Sequence, residues 1–340
     1  MDWFERLTGF KEGNPTETQS RLEVRDGRLN SKVNGQSYAL GQLELVSLAE
    51  LRVRTSQVRS TGKLEVTSII GDVRRMHQSP EFAGALFQVA SQFNLLEMIN
   101  PEVKPEDGVA RYQHDATQGP ACAIAAGAAT IYRNYFVPVD GGTGQCGGRQ
   151  VDALADLGEG LSHRLSSPGA KLWNMKNGYA LPSRDNLRAI NAALAEASDS
   201  ELDELRGLLR IGIHSNVEVT DAQQLPGPIV SQAFCSALPV SYTGIESATW
   251  QPFASLVLEA AYEATLLAGI INATRGRSRK VLLTQLGGGA FGNETRWIHS
   301  AMLRALKIVR NHDLEVYLVS YGSPHPALVQ IAKTHFEEAR

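Results

Sequence analysis

The stretch LLTQLGGGAFGNETRWIHSAMLRAL, residues 282–306, decides the reading of this chain. A short apolar run ends in Gly287, Gly288 and Gly289, passes Ala290 and Phe291, and reaches Gly292 and Asn293 before a helical pattern begins. Open α/β sheets bind ligands where a strand's C-terminal end turns into a helix. Glycines there permit positive φ and bring the main chain close to a ligand. Successive N–H groups beside a helix N-terminus form an anion cradle, for which phosphate or pyrophosphate is the natural occupant. The alternative is a flexible connector, which would have no use for Phe291 inside the run. No Gly-Lys-Ser/Thr closes the loop, so it is not a Walker A motif. Gly287, Gly289 and Gly292 fit GxGxxG only weakly and too near the end of the chain, which argues against hydride chemistry.

Around this loop the sequence alternates. Strands are expected at 87–93, 210–220, 229–240, 280–286 and 314–322, and helices at 120–136, 183–197, 199–210, 250–274, 293–310 and 324–338. Pro120 suits a first helical turn. The closing β-α-β-α order predicts an α/β fold, a three-layer α/β/α sandwich around a mixed, mostly parallel sheet. Residues 1–60 differ. Asp26-Gly27 and Asn34-Gly35 are tight-turn signals between short alternating runs, so an N-terminal β-rich extension is expected ahead of a catalytic domain at 61–340.

Composition bounds the function. The 340 residues are 43% hydrophobic with a net charge of -3, enough for a large core and no global support for a nucleic-acid partner. The start, MDWFERLTGFKEG, lacks an apolar run after a basic head and is not read as a signal peptide. No 18-residue apolar stretch is recognised, so no membrane span is expected. Cys122, Cys146 and Cys235 have no metal-ligand spacing; neither zinc nor a disulfide framework is implied, and a reducing, cytoplasmic setting fits. Secretion by a dedicated system would leave no readable mark.

A second constellation lies upstream. ASQFNLLE, residues 90–97, ends a strand with Asn94 and Glu97, and DGVARYQHDATQGPACA, residues 107–123, follows. It supplies Asp107, Asp115, Thr117 and Gln118 before a helix start at Gly119. Two loop carboxylates suit acid/base work or binding of substrate hydroxyls, and equally suit turns and caps. Because this loop too leads from a strand end into a helix, both loops are expected at one edge of one sheet.

These residues resemble the macrodomain superfamily, which binds ADP-ribose. FQVASQFN looks like the strand whose terminal Asn94 contacts ribose. GGGAFGN looks like the diphosphate loop, with Phe291 near the distal ribose. IIGDV resembles the early motif whose acid, here Asp72, binds the adenine amine. ALFQVASQFNLLEM, DATQGPACAIAAGAATIYRNYF, LWNMKNGYAL, SQAFCSALPVSY and LTQLGGGAFGN, in that order, resemble the divergent MavL-type macrodomain proteins from about residue 64 onward. That resemblance implies an ADP-ribosylhydrolase acting on arginine-linked ADP-ribose, with mono-ADP-ribosylated protein, modified ubiquitin included, as substrate. ADP-ribose would be ligand and product, and no separate cofactor is expected.

The implied reaction hydrolyses an N-glycosidic bond through an oxocarbenium-like transition state, which carboxylates stabilise. Asp107 and Asp115 are the candidates, with Glu106 in reserve. The diphosphate would sit on the amides of residues 287–293 and on the helix start at Gly119, beside Gln118. Gln232, Phe234 or Ser236 is expected at the pocket wall. Cys122 and Cys235 read as buried structural thiols. His114 reads as a substrate-orienting or solvated loop residue, His299 and His312 as surface or capping groups, and Trp173 and Tyr179 as core. The other readings are a non-catalytic ADP-ribose reader and a hydrolase of a small ADP-ribose derivative.

Overall fold

The computed structural model describes residues 1–59 and 62–337, with side chains up to 333. The domain boundary expected between residues 60 and 61 and the last residue of the helix expected to end at 338 lie outside them.

Seven strands build the central sheet: β1 Gln42–Ser47, β2 Glu65–Ile70, β3 Leu86–Ala90, β4 Arg210–Glu218, β5 Ile229–Cys235, β6 Lys280–Leu283 and β7 Glu315–Ser320. Their order is β1-β4-β5-β3-β6-β7-β2. From β5 through to β2 every neighbour is parallel; β4 alone runs against its neighbours β1 and β5. The expected mixed, mostly parallel α/β sheet is therefore present.

Period-two alternation makes it the middle of three layers. Val281, Leu283, Val316 and Leu318 face one core, and Leu282, Tyr317 and Val319 face the other. The first face is covered by the helices Ser247–Thr274, Thr295–Ile308 and Leu48–Ser56, the second by Val73–Gln78, Gln118–Ala125 and Gly127–Tyr135. Ser247–Thr274 corrects the sequence reading of apolar runs. It is 28 residues long and contains an 18-residue window with a mean hydropathy of 1.5, long and apolar enough to cross a membrane. Here 83% of that apolar window is buried, and Trp250, Phe253 and Tyr262 are inaccessible to solvent: an all-round apolar helix at the centre of a large core.

The N-terminal part is only half strand. Helices Trp3–Thr8 and Pro15–Ser20 come first, each capped by a side chain, Asp2 and Asn14, and neither was expected. The expected hairpins follow as a three-stranded sheet, with Asp26, Gly27 and Gly35 at positive φ in its turns. Strand β1 then joins the central sheet, so the segment before residue 60 is continuous with the main body. Trp3, Phe4, Leu7, Phe10 and Tyr38 build a core with Leu96, Met98, Tyr112 and Ile131. Glu12 accepts from the Val109 and Ala110 N–H groups at 2.9 and 2.7 Å and from the Tyr135 hydroxyl at 2.8 Å. The extension thus fixes the backbone of the loop that carries Asp115.

The helix expected from Pro120 to residue 136 begins earlier, at Gln118, and breaks at Ala126 (φ -112°, ψ 57°) before resuming at Gly127. The Thr130 hydroxyl donates to the Ala123 carbonyl across the break at 2.7 Å.

His77 is sealed in the second core, stacked 3.7 Å from the Phe87 ring centroid. Its Nδ1 lies 2.7 Å from the Val73 carbonyl, so it donates there and leaves Nε2 to accept from Gln232 Nε2 at 3.1 Å. Burial holds this neutral ring down to about 4. The unfolded chain therefore binds the extra proton first, and stability falls as pH drops from about 6.5 towards 4, by on the order of 3 kcal/mol. Urea midpoints between pH 4 and 8 will show this slope, to which the buried His214, held down to about 3, also contributes, and His77→Leu will reduce it.

Candidate functional site

Five parallel strand ends converge on one edge of the sheet. The chain leaves β3 at Ala90, β6 at Leu283, β7 at Ser320, β2 at Ile70 and β5 at Cys235. Residues just beyond each of these ends line two adjoining cavities of about 390 and 630 Å³. Residues 115–118, Thr284, Gln285 and Gly289 line both, so the two cavities form one cleft with a waist. The loop around 114–119 and the glycine loop meet there, at one rim, as their sequence positions implied.

The glycine loop is prefolded. Gly292 N–H donates to the Gly289 carbonyl at 3.0 Å and Asn293 N–H to the Gly287 carbonyl at 2.9 Å. Gly287 and Gly292 both have φ of 72°. A Cβ on Gly292 would stand 1.9 Å from Ser241 Oγ, whereas one on Gly289 would meet nothing within 4 Å. Gly287, Gly289, Ala290 and Phe291 line the smaller cavity; Gly288 and Gly292 shape the turn without lining it. Asn293 is buried with its Nδ2 donating to the Leu238 carbonyl at 2.8 Å, a structural clasp rather than a ligand contact.

Opposite it, Gln118 ties the helix start to β3. Its Oε1 accepts from Ala90 N–H and its Nε2 donates to the Gln88 carbonyl, both at 2.8 Å. A Cβ on Gly119 would lie 2.0 Å from the Ala90 carbonyl oxygen, so glycine is required for this approach. The open N–H groups of the helix's first turn are thereby held at the waist.

The carboxylates separate. Asp115 lines both cavities, and its Oδ1 accepts from Thr117 N–H at 2.8 Å and from the Thr117 hydroxyl at 2.6 Å. Asp107 lines neither cavity; its Oδ2 caps the Lys104 N–H at 2.8 Å. Glu106 accepts from Gly147 N–H at 2.9 Å, also away from the cavities. The expected partnership of Asp107 with Asp115 is corrected by this placement: a short turn consumes Asp107. Asn94 is corrected likewise. It is fully buried, accepting from Leu96 N–H at 3.1 Å and donating to Gln150 Oε1 at 2.8 Å, and it lines neither cavity. Asp72 does line the larger cavity, where its Oδ1 caps the helix Val73–Gln78 by accepting from Arg74 N–H at 2.9 Å.

Residues outside the sequence-stated site complete the cleft. Tyr321, 85% exposed, stands on the rim of the larger cavity. Tyr179, Tyr242 and Phe291 form an aromatic triangle beside the smaller one, with centroids 5.2 to 5.7 Å apart. Tyr179 was expected in the core. It is buried, donates to the Met98 carbonyl at 2.6 Å and still walls the cavity, while Trp173 packs on Phe253 as expected. Glu97 borders the smaller cavity, but its side chain is sealed from solvent beside the buried Arg133, whose Nη2 lies 3.3 Å from Glu97 Oε1. Burial pushes the Glu97 carboxyl up to about 7 against the pull of Arg133 and Tyr112.

Gln232, Phe234 and Ser236 are buried and line neither cavity; Ala237 takes the wall position expected of them. Cys122 and Cys235 are buried with their thiols pushed up by desolvation, Cys235 to about 11. His114 lines the smaller cavity. His299 is buried, not a surface group, 5.3 Å from the His325 ring. Among the described residues no group of three or more His, Cys, Asp and Glu is placed to hold a metal ion.

No family model matches the chain, and no curated protein matches it. Among solved structures it is similar to the poly(ADP-ribose) glycohydrolase of Deinococcus radiodurans in complex with ADP-ribose, at 12% identity over 87% of this chain and 94% of that one, TM-score 0.43. It is also similar to the poly(ADP-ribose) glycohydrolase of Thermomonospora curvata, at 13% identity over 95% and 97%, TM-score 0.43. A macrodomain of Oceanobacillus iheyensis with MES bound matches at 10% identity over 81% and 93%, TM-score 0.35. At these scores the similarity assigns no residue its role.

Two glycines of this loop are expected to behave oppositely. Gly292→Ala forces both a positive φ and a clash, and will lower unfolding stability by about 2 kcal/mol. Gly289→Ala will stay within about 0.5 kcal/mol of the parent in the same denaturant titration.

Proposed function

We propose that the chain is an ADP-ribosylhydrolase that removes mono-ADP-ribose from protein side chains. The observation that carries this reading is the cleft's shape and order. A larger chamber holding Asp72 and Tyr321 joins, through a waist of glycine-loop and helix-start amides, a smaller chamber holding Phe291 and Asp115. That succession suits a base, a diphosphate and a second ribose in line. Adenosine would take the larger chamber, with Asp72 near the exocyclic amine and Tyr321 against the base. The diphosphate would cross the waist, where N–H groups and a helix N-terminus favour anions. The distal ribose would reach the smaller chamber, its face against Phe291 and its hydroxyls towards Asp115.

Arginine as the linked residue and ubiquitin as one substrate are supported by the sequence resemblance alone. A hydrolase is supported by Asp115, which lines the smaller chamber and would face the oxocarbenium-like centre of a ribose bound there. A reader without catalysis is the second reading; Asp115 favours it by having one oxygen committed to Thr117.

Calorimetry with ADP-ribose, followed by release of ADP-ribose from an arginine-modified protein, tests the proposal. Wild type is expected to bind and to release. Asp115→Ala is expected to bind within about threefold of wild type and release at least about 100-fold more slowly. Gly289→Val is expected to lose binding at an unchanged melting temperature, because its side chain fills the waist. Absence of any binding heat rejects the cleft assignment, and binding without release selects the reader.

A further inference from the structure

The chain that leaves β5 does not pass directly into a long helix. It runs through the buried Ala237 and Leu238 into the short 3-10 helix Val240–Tyr242, and this segment is clasped to the glycine loop. Ser241 N–H donates to the Phe291 carbonyl at 3.1 Å, and the Leu238 carbonyl accepts from Asn293 Nδ2 at 2.8 Å. The clasp sets Tyr242 into the aromatic triangle. Its ring meets that of Phe291 at an interplanar angle of 74° and that of Tyr179 at 56°. Tyr179 is 1% exposed, whereas Tyr242 is half-buried and lines the smaller chamber with Phe291. Two neighbouring rings thus fix the Tyr242 side chain, and the surface they leave free belongs to the chamber.

The chamber is also one-sided in charge. Among the described residues that line it are the accessible Asp115 and the sealed Glu97, and no Lys or Arg. His114 stands exposed on its lip. Burial pushes the Tyr242 hydroxyl above its ordinary value, and the Asp115 carboxylate adds to that rise against the Tyr179 hydroxyl. The phenol therefore stays neutral wherever the carboxylate is ionised. An aromatic face and a carboxylate together recognise a planar cation. The ring quadrupole attracts it within about 6 Å of the centroid, and a carboxylate pairs with a guanidinium through charge-assisted hydrogen bonds. A neutral ether or ester link gains neither.

We propose that Tyr242 is a specificity-determining residue of this chamber: with Asp115, its ring face holds the group linked to the distal ribose when that group is a planar cation. The inference rests on the ADP-ribosylhydrolase reading and deepens it, since it gives a guanidinium link a contact of its own in the cleft. No bond is made or broken at Tyr242. The contact acts on binding of the modified side chain and leaves the chemistry at the anomeric carbon to other groups. Through Ser241 and Phe291, the residue that selects the linked group is braced by the loop that would hold the diphosphate.

The test uses the full chain and three ligands: a peptide carrying ADP-ribose on arginine, the same peptide carrying it on serine, and ADP-ribose itself. KM and kcat are measured for the arginine-linked peptide, and inhibition constants for the other two. If the chain binds without releasing, calorimetry reads the three affinities instead. Tyr242→Leu is expected to raise KM for the arginine-linked peptide about tenfold, with kcat and both inhibition constants moving by less than about threefold. Tyr242→Phe keeps the ring and is expected to restore wild-type KM within about twofold. A merely structural role would move all three constants together. Should the leucine variant fail to fold, wild type saturated with ADP-ribose decides the matter. It is expected to bind propylguanidine at least about tenfold more tightly than propylurea, the uncharged planar counterpart. Equal losses for the arginine- and serine-linked peptides, a phenylalanine variant as weak as the leucine one, or no preference for propylguanidine overturns this role of Tyr242. Failure of wild type to bind ADP-ribose at all overturns the preceding reading instead.

Discussion

The cleft depends on how closely one helix start approaches one strand end. Gln118 extends the hydrogen bonding of β3 with its side-chain amide, and Gly119 leaves no atom between the helix and the Ala90 carbonyl. That contact is short because it is polar on one side and empty on the other. With it fixed, the chain before the helix must run along the sheet edge, which puts Asp115 and Thr117 opposite the glycine loop. With it loosened, the waist would widen and the two chambers would merge into an open groove.

A second constraint comes from the far end of the chain. The loop from Glu97 to Thr117 contains two short 3-10 helices and no long element of its own. Loops of this length keep one shape only when their backbone groups are satisfied. Glu12 does this for Val109 and Ala110, and the apolar side of the same N-terminal segment packs against Leu96, Met98 and Tyr112. The extension is therefore structural support for the cleft. The carboxylate that performs this task pays in desolvation, which raises it above its ordinary range despite two backbone donors.

Much of this was legible in the sequence because it is local. The glycine run beside an apolar strand, the β-α alternation of the last hundred residues and the Asp-Gly and Asn-Gly turns all act within a few residues, and each appears where expected. What was not legible depends on distance in sequence. Gln42–Ser47 reads like more of a hairpin until β4, far along the chain, gives it a partner. Asp107 and Asp115 look equivalent in one loop, yet the turn at Lys104 takes one and the cavity takes the other. Glu97 reads as a polar residue at the end of a buried strand; only Arg133, Tyr112 and the burial of all three mark it out. Tyr321 carried no signal beyond being an aromatic residue after a strand.

The pair formed by Glu97 and Arg133 is a poor way to hold a protein together. Two buried charges 3.3 Å apart recover their desolvation cost only with good geometry and full hydrogen bonding, and well-packed apolar residues usually do as well or better. Here Glu97 Oε2 and Arg133 Nη1 both lack hydrogen-bond partners, and the neighbouring Leu95 sits in a backbone region unfavourable to any residue with a branched side chain. Two of these three local costs fall within one turn, at Leu95 and Glu97, and the third faces it from the helix Gly127–Tyr135.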